Sequence, residues 1–150
     1  MGQQQLLLLV LGIVIVGLAV VAGINAFDEN QRKSSEDALT NEAFRLASDA
    51  KAWYNKPTQY DGGGSKSSNL NNISWEDIGV EDTTSNSNYE TPWGIVDMTG
   101  SEGTVTFNVE TNGADNTDND ASDGNFGTVT FNPNADEPIS FERSSSSESG

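Results

Sequence analysis

The sequence predicts an α+β protein in which a long N-terminal helix, hydrophobic and then amphipathic, is followed by a small antiparallel β-sheet head. Three observations lead there. The 22 residues from Leu6 to Phe27 are almost all apolar and none is charged. Residues Asp28 to Asn55 contain neither Gly nor Pro and keep apolar side chains at helical spacing. Two nearly identical heptapeptides, residues 103–109 and 127–133, alternate Thr with Val and Phe as strands do.

The apolar run is long enough for a bilayer, since about 20 apolar residues in a helix span the ~30 Å hydrocarbon core. Residues 1–5, Met-Gly-Gln-Gln-Gln, carry no lysine or arginine ahead of it. The run also exceeds the roughly 7–15 residues of a secretory signal and no A-x-A site closes it, which argues against a cleaved signal peptide. Gly2 does not start a myristoylation motif, because Leu6 stands where that motif needs Ser or Thr. Arg32 and Lys33 just past the run would, on a bare positive-inside count, keep the rest in the cytoplasm. A large acidic, Gly/Asn/Ser-rich domain without cysteine is instead built for the outside.

After Phe27 the apolar positions Leu39, Ala43, Leu46, Ala47, Ala50, Trp53 and Tyr54 recur at three and four residues, with Glu36, Asp37, Glu42, Arg45, Asp49 and Lys51 on the other face. One helix from about Gln3 to Asn55 follows, about 80 Å long, and Pro57 ends it. Gly62-Gly63-Gly64 opens a Ser/Asn-rich loop expected to be flexible. Ile73, Trp75 and Ile78 give a short alternating or turn segment, and residues 94–98 a strand. The two heptapeptides are expected as hairpin arms or adjacent strands, Ile139 to Arg143 as a further strand, and Ser144 to Gly150 as a disordered polar tail. The chain thus divides into a hydrophobic helix (1–27), an amphipathic stalk (28–56), an acidic β-rich head (57–143) and the tail (144–150).

Charge narrows the partners. With 23 acidic and 7 basic residues the net charge is -16, so nucleic acid is not expected as a partner, and anionic lipid would repel the head. An acid excess with few lysines suits a protein kept dispersed in strong salt, the signature of a halophile; an ordinary acidic extracellular surface has the same composition. There is no cysteine and no histidine, which removes disulfides, thiolate nucleophiles, the usual base near neutral pH and the usual zinc ligands. No catalytic residues are expected. The cluster Glu76, Asp77, Glu81 and Asp82 has no aromatic or nucleophile context and is expected to be a solvated face.

Four aspartates, Asp115, Asp118, Asp120 and Asp123, fall between the two repeated strands. Calcium wants six to eight oxygens, roughly as such a loop supplies them, yet Asp123 occupies the position where an EF-hand needs glycine and Gly124 comes one place late. The alternatives are a calcium site, the one cofactor the chain offers, or a solvated acidic loop. The aromatics Trp53, Tyr54, Tyr60, Trp75, Tyr89 and Trp93 are expected to build the core where helix meets sheet, with sugar or protein binding the alternative. Asn72-Ile73-Ser74 is an N-glycosylation sequon, and serines 144–147 are equally available for O-linked sugar.

Within the apolar run, Gly12, Gly17 and Gly23 with Ala19, Ala22 and Ala26 place small side chains at intervals such as Ala19-xxx-Gly23 and Ala22-xxx-Ala26, which permit close helix approach. The expected packing set is Leu6, Leu7, Leu9, Val10, Gly12, Ile13, Val16, Gly17, Ala19, Val20, Gly23 and Phe27.

A short polar N-terminus, an unbroken apolar segment, an amphipathic continuation, a Pro/Gly break near Pro57 and a small β-rich head together resemble type IV pilins and pilin-like filament subunits. The residues from Met1 to Gly12 look like the N-termini of a pilin-like group in the Bacteroidota and related bacteria, halophiles included. The resemblance implies a subunit stored in the inner membrane through this helix, then extracted by an ATP-driven assembly machine into an extracellular helical homopolymer. It also implies processing between Gly2 and Gln3. If Met1 is instead the mature start, Gln5 stands where the family carries a glutamate that pairs with a neighbour's terminal amine. The alternative function is a single-pass membrane-anchored surface binding module whose binding depends on calcium. Protease treatment of intact cells should degrade the acidic domain; its protection would place that domain in the cytoplasm.

Overall fold

The computed structural model describes residues 2–81, 88–111 and 125–144. The chain is α+β, as expected: helix α1 covers Gly2–Asn55, 54 residues, and a five-stranded antiparallel sheet follows. It divides into two compact units, Met1–Ser34 and Ser35–Gly150.

The first unit is helix alone. Its side chains are exposed from Gly2 onward, and charge appears only near its end, where Lys33 Nζ pairs with Glu29 one turn back at 2.7 Å.

In the second unit α1 continues, and burial starts with its apolar stripe. Leu39, Ala43, Leu46, Ala47, Ala50 and Trp53 are all buried, at the three- and four-residue spacing that aligns side chains on one face. The sheet is a simple meander, β1 (Asn88–Thr91), β2 (Gly94–Ser101), β3 (Thr104–Thr111), β4 (Asn125–Phe131) and β5 (Ile139–Arg143), each strand antiparallel to the next. The two similar heptapeptides are neighbours: Val105 lies opposite Phe131, and Phe107 opposite Val129.

Period-two alternation sorts the sheet into two faces. One carries Val96 and Val109, then the row Met98, Phe107, Val129, Phe141, then Val105, Phe131 and Ile139, and it joins the helix in a single apolar cluster. The other carries the hydroxyl row Thr99, Thr106, Thr130, Ser140 and, beside it, Asp97, Asn108, Thr128 and Glu142. Beyond Val109 the register slips by a bulge, and the carboxylate of Glu110 is buried there at 1 % exposure.

Aromatic contacts close the core. Trp75 lies 6.4 Å from Phe107 and 5.9 Å from Tyr89, and Tyr54 meets Phe131 edge-on at 5.8 Å. Two of the expected core aromatics are not in it. Trp93 sits in the two-residue turn between β1 and β2 and is 45 % exposed; Tyr60 closes a 3-10 turn on the surface and is 69 % exposed. Both belong to turns, where no sheet face is available to cover them.

The stretch around Ile73, Trp75 and Ile78 is two 3-10 helices, Ser67–Asn72 and Glu76–Ile78, rather than a strand. It seats on the sheet at Gly100, where any Cβ would collide with the Leu70 carbonyl. β1 was not anticipated; Asn-Tyr-Glu-Thr has no apolar alternation to announce it. At the C-terminal end, Ser144 N–H still donates to the Phe126 carbonyl at 3.0 Å, and the rest of the serine tail, residues 145–150, lies outside the described residues.

Phe107 is fully buried and central to the cluster. Phe107→Ala should lower unfolding stability by about 3–5 kcal/mol, read as a shift of the denaturant midpoint of the full chain in detergent.

Candidate functional site

The expected packing residues all lie on α1, all exposed. At roughly 100° per residue, helix geometry separates them into faces. Between Gly17 and Phe27, Ala19, Ala22, Gly23 and Ala26 share one face, Val20, Val21 and Ile24 lie on the opposite side, and Phe27, one turn beyond Gly23, stands at the border between the two. Gly12 falls with the small face. Gly17 does not: it stands roughly 160° from Ala19, among the bulky residues. Helical phase thus puts Gly12 and Gly23 on one side of α1 and Gly17 on the other.

A Cβ added at Gly12, Gly17 or Gly23 would meet nothing within 4 Å. These glycines are thus not required by any contact among the described residues. Nearer the N-terminus, Gln3, Leu6, Leu7 and Val10 outline a groove of about 350 Å³. Their spacing, i, i+3, i+4 and i+7, is that of the four residues that form a hole for a knob from another helix. Gly2 and Gln3, the expected processing point, both lie in the first turn.

A second feature belongs to the head. After Asn55 the chain turns back over the end of α1: Gly63 N–H donates to the Trp53 carbonyl at 2.9 Å, Gly64 to Lys56 at 2.9 Å and Ser65 to Tyr54 at 2.8 Å. These bonds satisfy carbonyls that a helix C-terminus otherwise leaves without partners. The triglycine segment, expected to be a flexible connection, is a fitted cap. Gly62 and Gly63 press against Lys56 and Trp53 so closely that a Cβ on either would collide or be tight.

Beside this cap, residues including Trp53, Lys56, Asp61, Asn72, Glu76 and Asp77 line a polar cleft of about 510 Å³. Asp77 is fixed by accepting from both the Ser74 amide and hydroxyl, at 2.9 and 2.8 Å. Trp53 is 91 % buried, and its indole N–H has no hydrogen-bond partner among the described residues. Sequence reading found Asn72 by its sequon and Glu76 and Asp77 by their charge; it had no signal that these would meet Trp53 and Asp61 across the turn.

A third cluster ties α1 to β1. Arg45 bonds Glu42 at 2.5 Å and Asp49 at 3.2 Å, and Tyr89 Oη donates to Glu42 at 3.2 Å. Hydrogen bonding from Arg45 holds the Glu42 carboxyl below its usual range, while burial, then the nearby Glu42 charge, pushes the Tyr89 phenol up. The remaining expected ligands, Asp115, Asp118, Asp120 and Asp123, lie outside the described residues, as does Asp82. Among the described residues no group of three or more carboxylates converges to hold a metal ion.

No family model, no curated protein and no solved structure matches the chain. The architecture, a long apolar N-terminal helix followed by a small antiparallel sheet, is pilin-like.

The Glu42–Tyr89 pair predicts two arms of pH dependence. The lowered Glu42 value adds stability above its unfolded range that is lost as pH falls through the folded value. The raised Tyr89 value adds stability below about pH 10 that is lost as pH rises through the folded value. Thermal melts against pH should show Glu42→Gln weakening the acid arm and Tyr89→Phe the alkaline arm. Unchanged profiles would mean the contact is not formed in solution.

Proposed function

We propose that this chain is a filament subunit of the type IV pilin kind, polymerising through the first half of α1 with the acidic head outward. The observation that supports it is that every Leu, Ile and Val from Leu6 to Ile24, and Phe27, is exposed on the uncharged first half of α1. Full burial of one such side chain is worth roughly 1.5–3 kcal/mol. About six of them then match the roughly 4–15 kcal/mol that association costs in lost freedom.

In a bilayer that surface is already satisfied by lipid, and helix contact there depends on close packing of small residues. Outside the bilayer the same surface must be covered by protein. The opposed small and bulky faces between Gly17 and Phe27 suit this, because the bulky face of one copy fits the small face of the next. Such a contact uses two different patches, so it is heterologous and can propagate without closing. Storage in the inner membrane, processing near Gly2 and Gln3 and extraction by an assembly machine complete the proposal. The net charge of -16 keeps neighbouring heads hydrated, in strong salt above all.

The length and composition of α1, sufficient for a membrane span, equally favour a second reading, a single-pass anchored surface module. Sheared cell-surface material separates the two. Negative-stain images should show filaments containing this chain, lost in Ala19→Phe and Ala22→Phe cells whose membranes still hold the monomer. Wild-type chain confined to the membrane fraction would favour the anchored module, and normal filaments from both variants would contradict the packing.

A further inference from the structure

The cleft beside the triglycine cap is not used by polymerisation through α1, and its chemistry is distinct from the rest of the head. Its donors are Lys56 and the Asn72 amide; its acceptors are the carboxylates of Asp61, Glu76 and Asp77. Donors and acceptors thus stand at several points around the cleft, as suits a ligand that both gives and takes hydrogen bonds. A sugar ring does this through its hydroxyls. The volume of about 510 Å³ admits one or two such rings, and a mainly polar lining suits a hydrated polyol better than an apolar ligand.

Asn72 supplies the second observation. It is exposed, it ends the 3-10 helix Ser67–Asn72 on the wall of the cleft, and it opens the sequon Asn72-Ile73-Ser74. We propose that Asn72 carries an N-linked saccharide whose first rings lie in this cleft, held by Asp61 and Glu76. In the attachment step Asn72 Nδ2 bonds to the anomeric carbon of a sugar carried on a lipid-linked diphosphate. The diphosphate leaves with the bonding pair and the amide loses one proton. In the folded head the Ser74 hydroxyl is held by Asp77, so the transfer precedes closure of that turn.

The proposal shares with the filament reading only the requirement that the head leaves the cytoplasm. Unmodified Asn72 in normal filaments would refute the sugar alone, and modified Asn72 in cells without filaments would refute the polymer alone. The test is mass spectrometry of the full chain from the cells that make it, followed by a stability cycle. The peptide containing Asn72 should be heavier by whole sugar residues, and Ser74→Ala should return it to its sequence mass. Losing the sugar through Ser74→Ala also removes the Ser74–Asp77 bond, so Asn72→Gln serves as the unglycosylated arm of the cycle. Asn72→Gln should shift the unfolding equilibrium of the otherwise native chain by about tenfold, and that of the Asp61→Asn/Glu76→Gln chain by less than about twofold. An unmodified Asn72 overturns the proposal. So does a modified Asn72 whose loss costs the same in both backgrounds, since the sugar would then lie outside the cleft.

Discussion

From Leu6 to Phe27 the helix carries an apolar surface with no charge anywhere along it, exposed on every side, and this surface is the constraint that any account of the molecule has to meet. An α-helix is the form that allows this, because all its backbone groups are paired internally and need neither water nor a neighbour. The helix has no internal Gly or Pro after Gly23, so the conformation continues into residues with a different task. From Leu39 the apolar positions narrow from the whole circumference to one stripe. That change in pattern marks the passage from a fully exposed apolar surface to a stripe buried within the head.

The head is held together mainly by this stripe and one face of the sheet. Leu39, Leu46, Phe107 and Phe131 are essentially inaccessible to water, and each such side chain contributes more than any exposed ion pair, worth about 0–1 kcal/mol. The polar ties serve placement. Arg143 Nη2 reaches Glu36 at 2.6 Å and fixes edge strand β5 to α1, while Tyr89 and Glu42 do the same for edge strand β1. The chain has no cysteine, so no disulfide supplements these two edge contacts.

What could be read from the residues follows from how local each signal is. The helix was legible because its periodicity persists over many turns, and its end because Pro57 cannot continue it. Strands β3 and β4 were legible from Thr/Val/Phe alternation, down to their being neighbours. β1 was not, since Asn88 to Thr91 owes its strand conformation to pairing with β2 rather than to its own composition. The triglycine cap was misread for a similar reason: composition reports freedom in the isolated chain, but here small residues are needed to pass close to Lys56 and Trp53. Among the packing residues the types were evident, while helical phase alone separated Gly17 from Ala19.

Two surfaces of opposite chemistry stand out. One is apolar, uncharged and divided into small and bulky faces; the other is acidic and hydrated, with a polar cleft at the turn where α1 ends. The most direct measurement is electron cryomicroscopy of filaments sheared from cells that make this chain. The account predicts a helical array with residues 6–27 of every copy packed about the axis, the face of Ala19, Ala22, Gly23 and Ala26 against the bulky face of a neighbour, and the sheet outermost. Filaments built through the sheet, with Leu6 to Phe27 away from the axis, would contradict it.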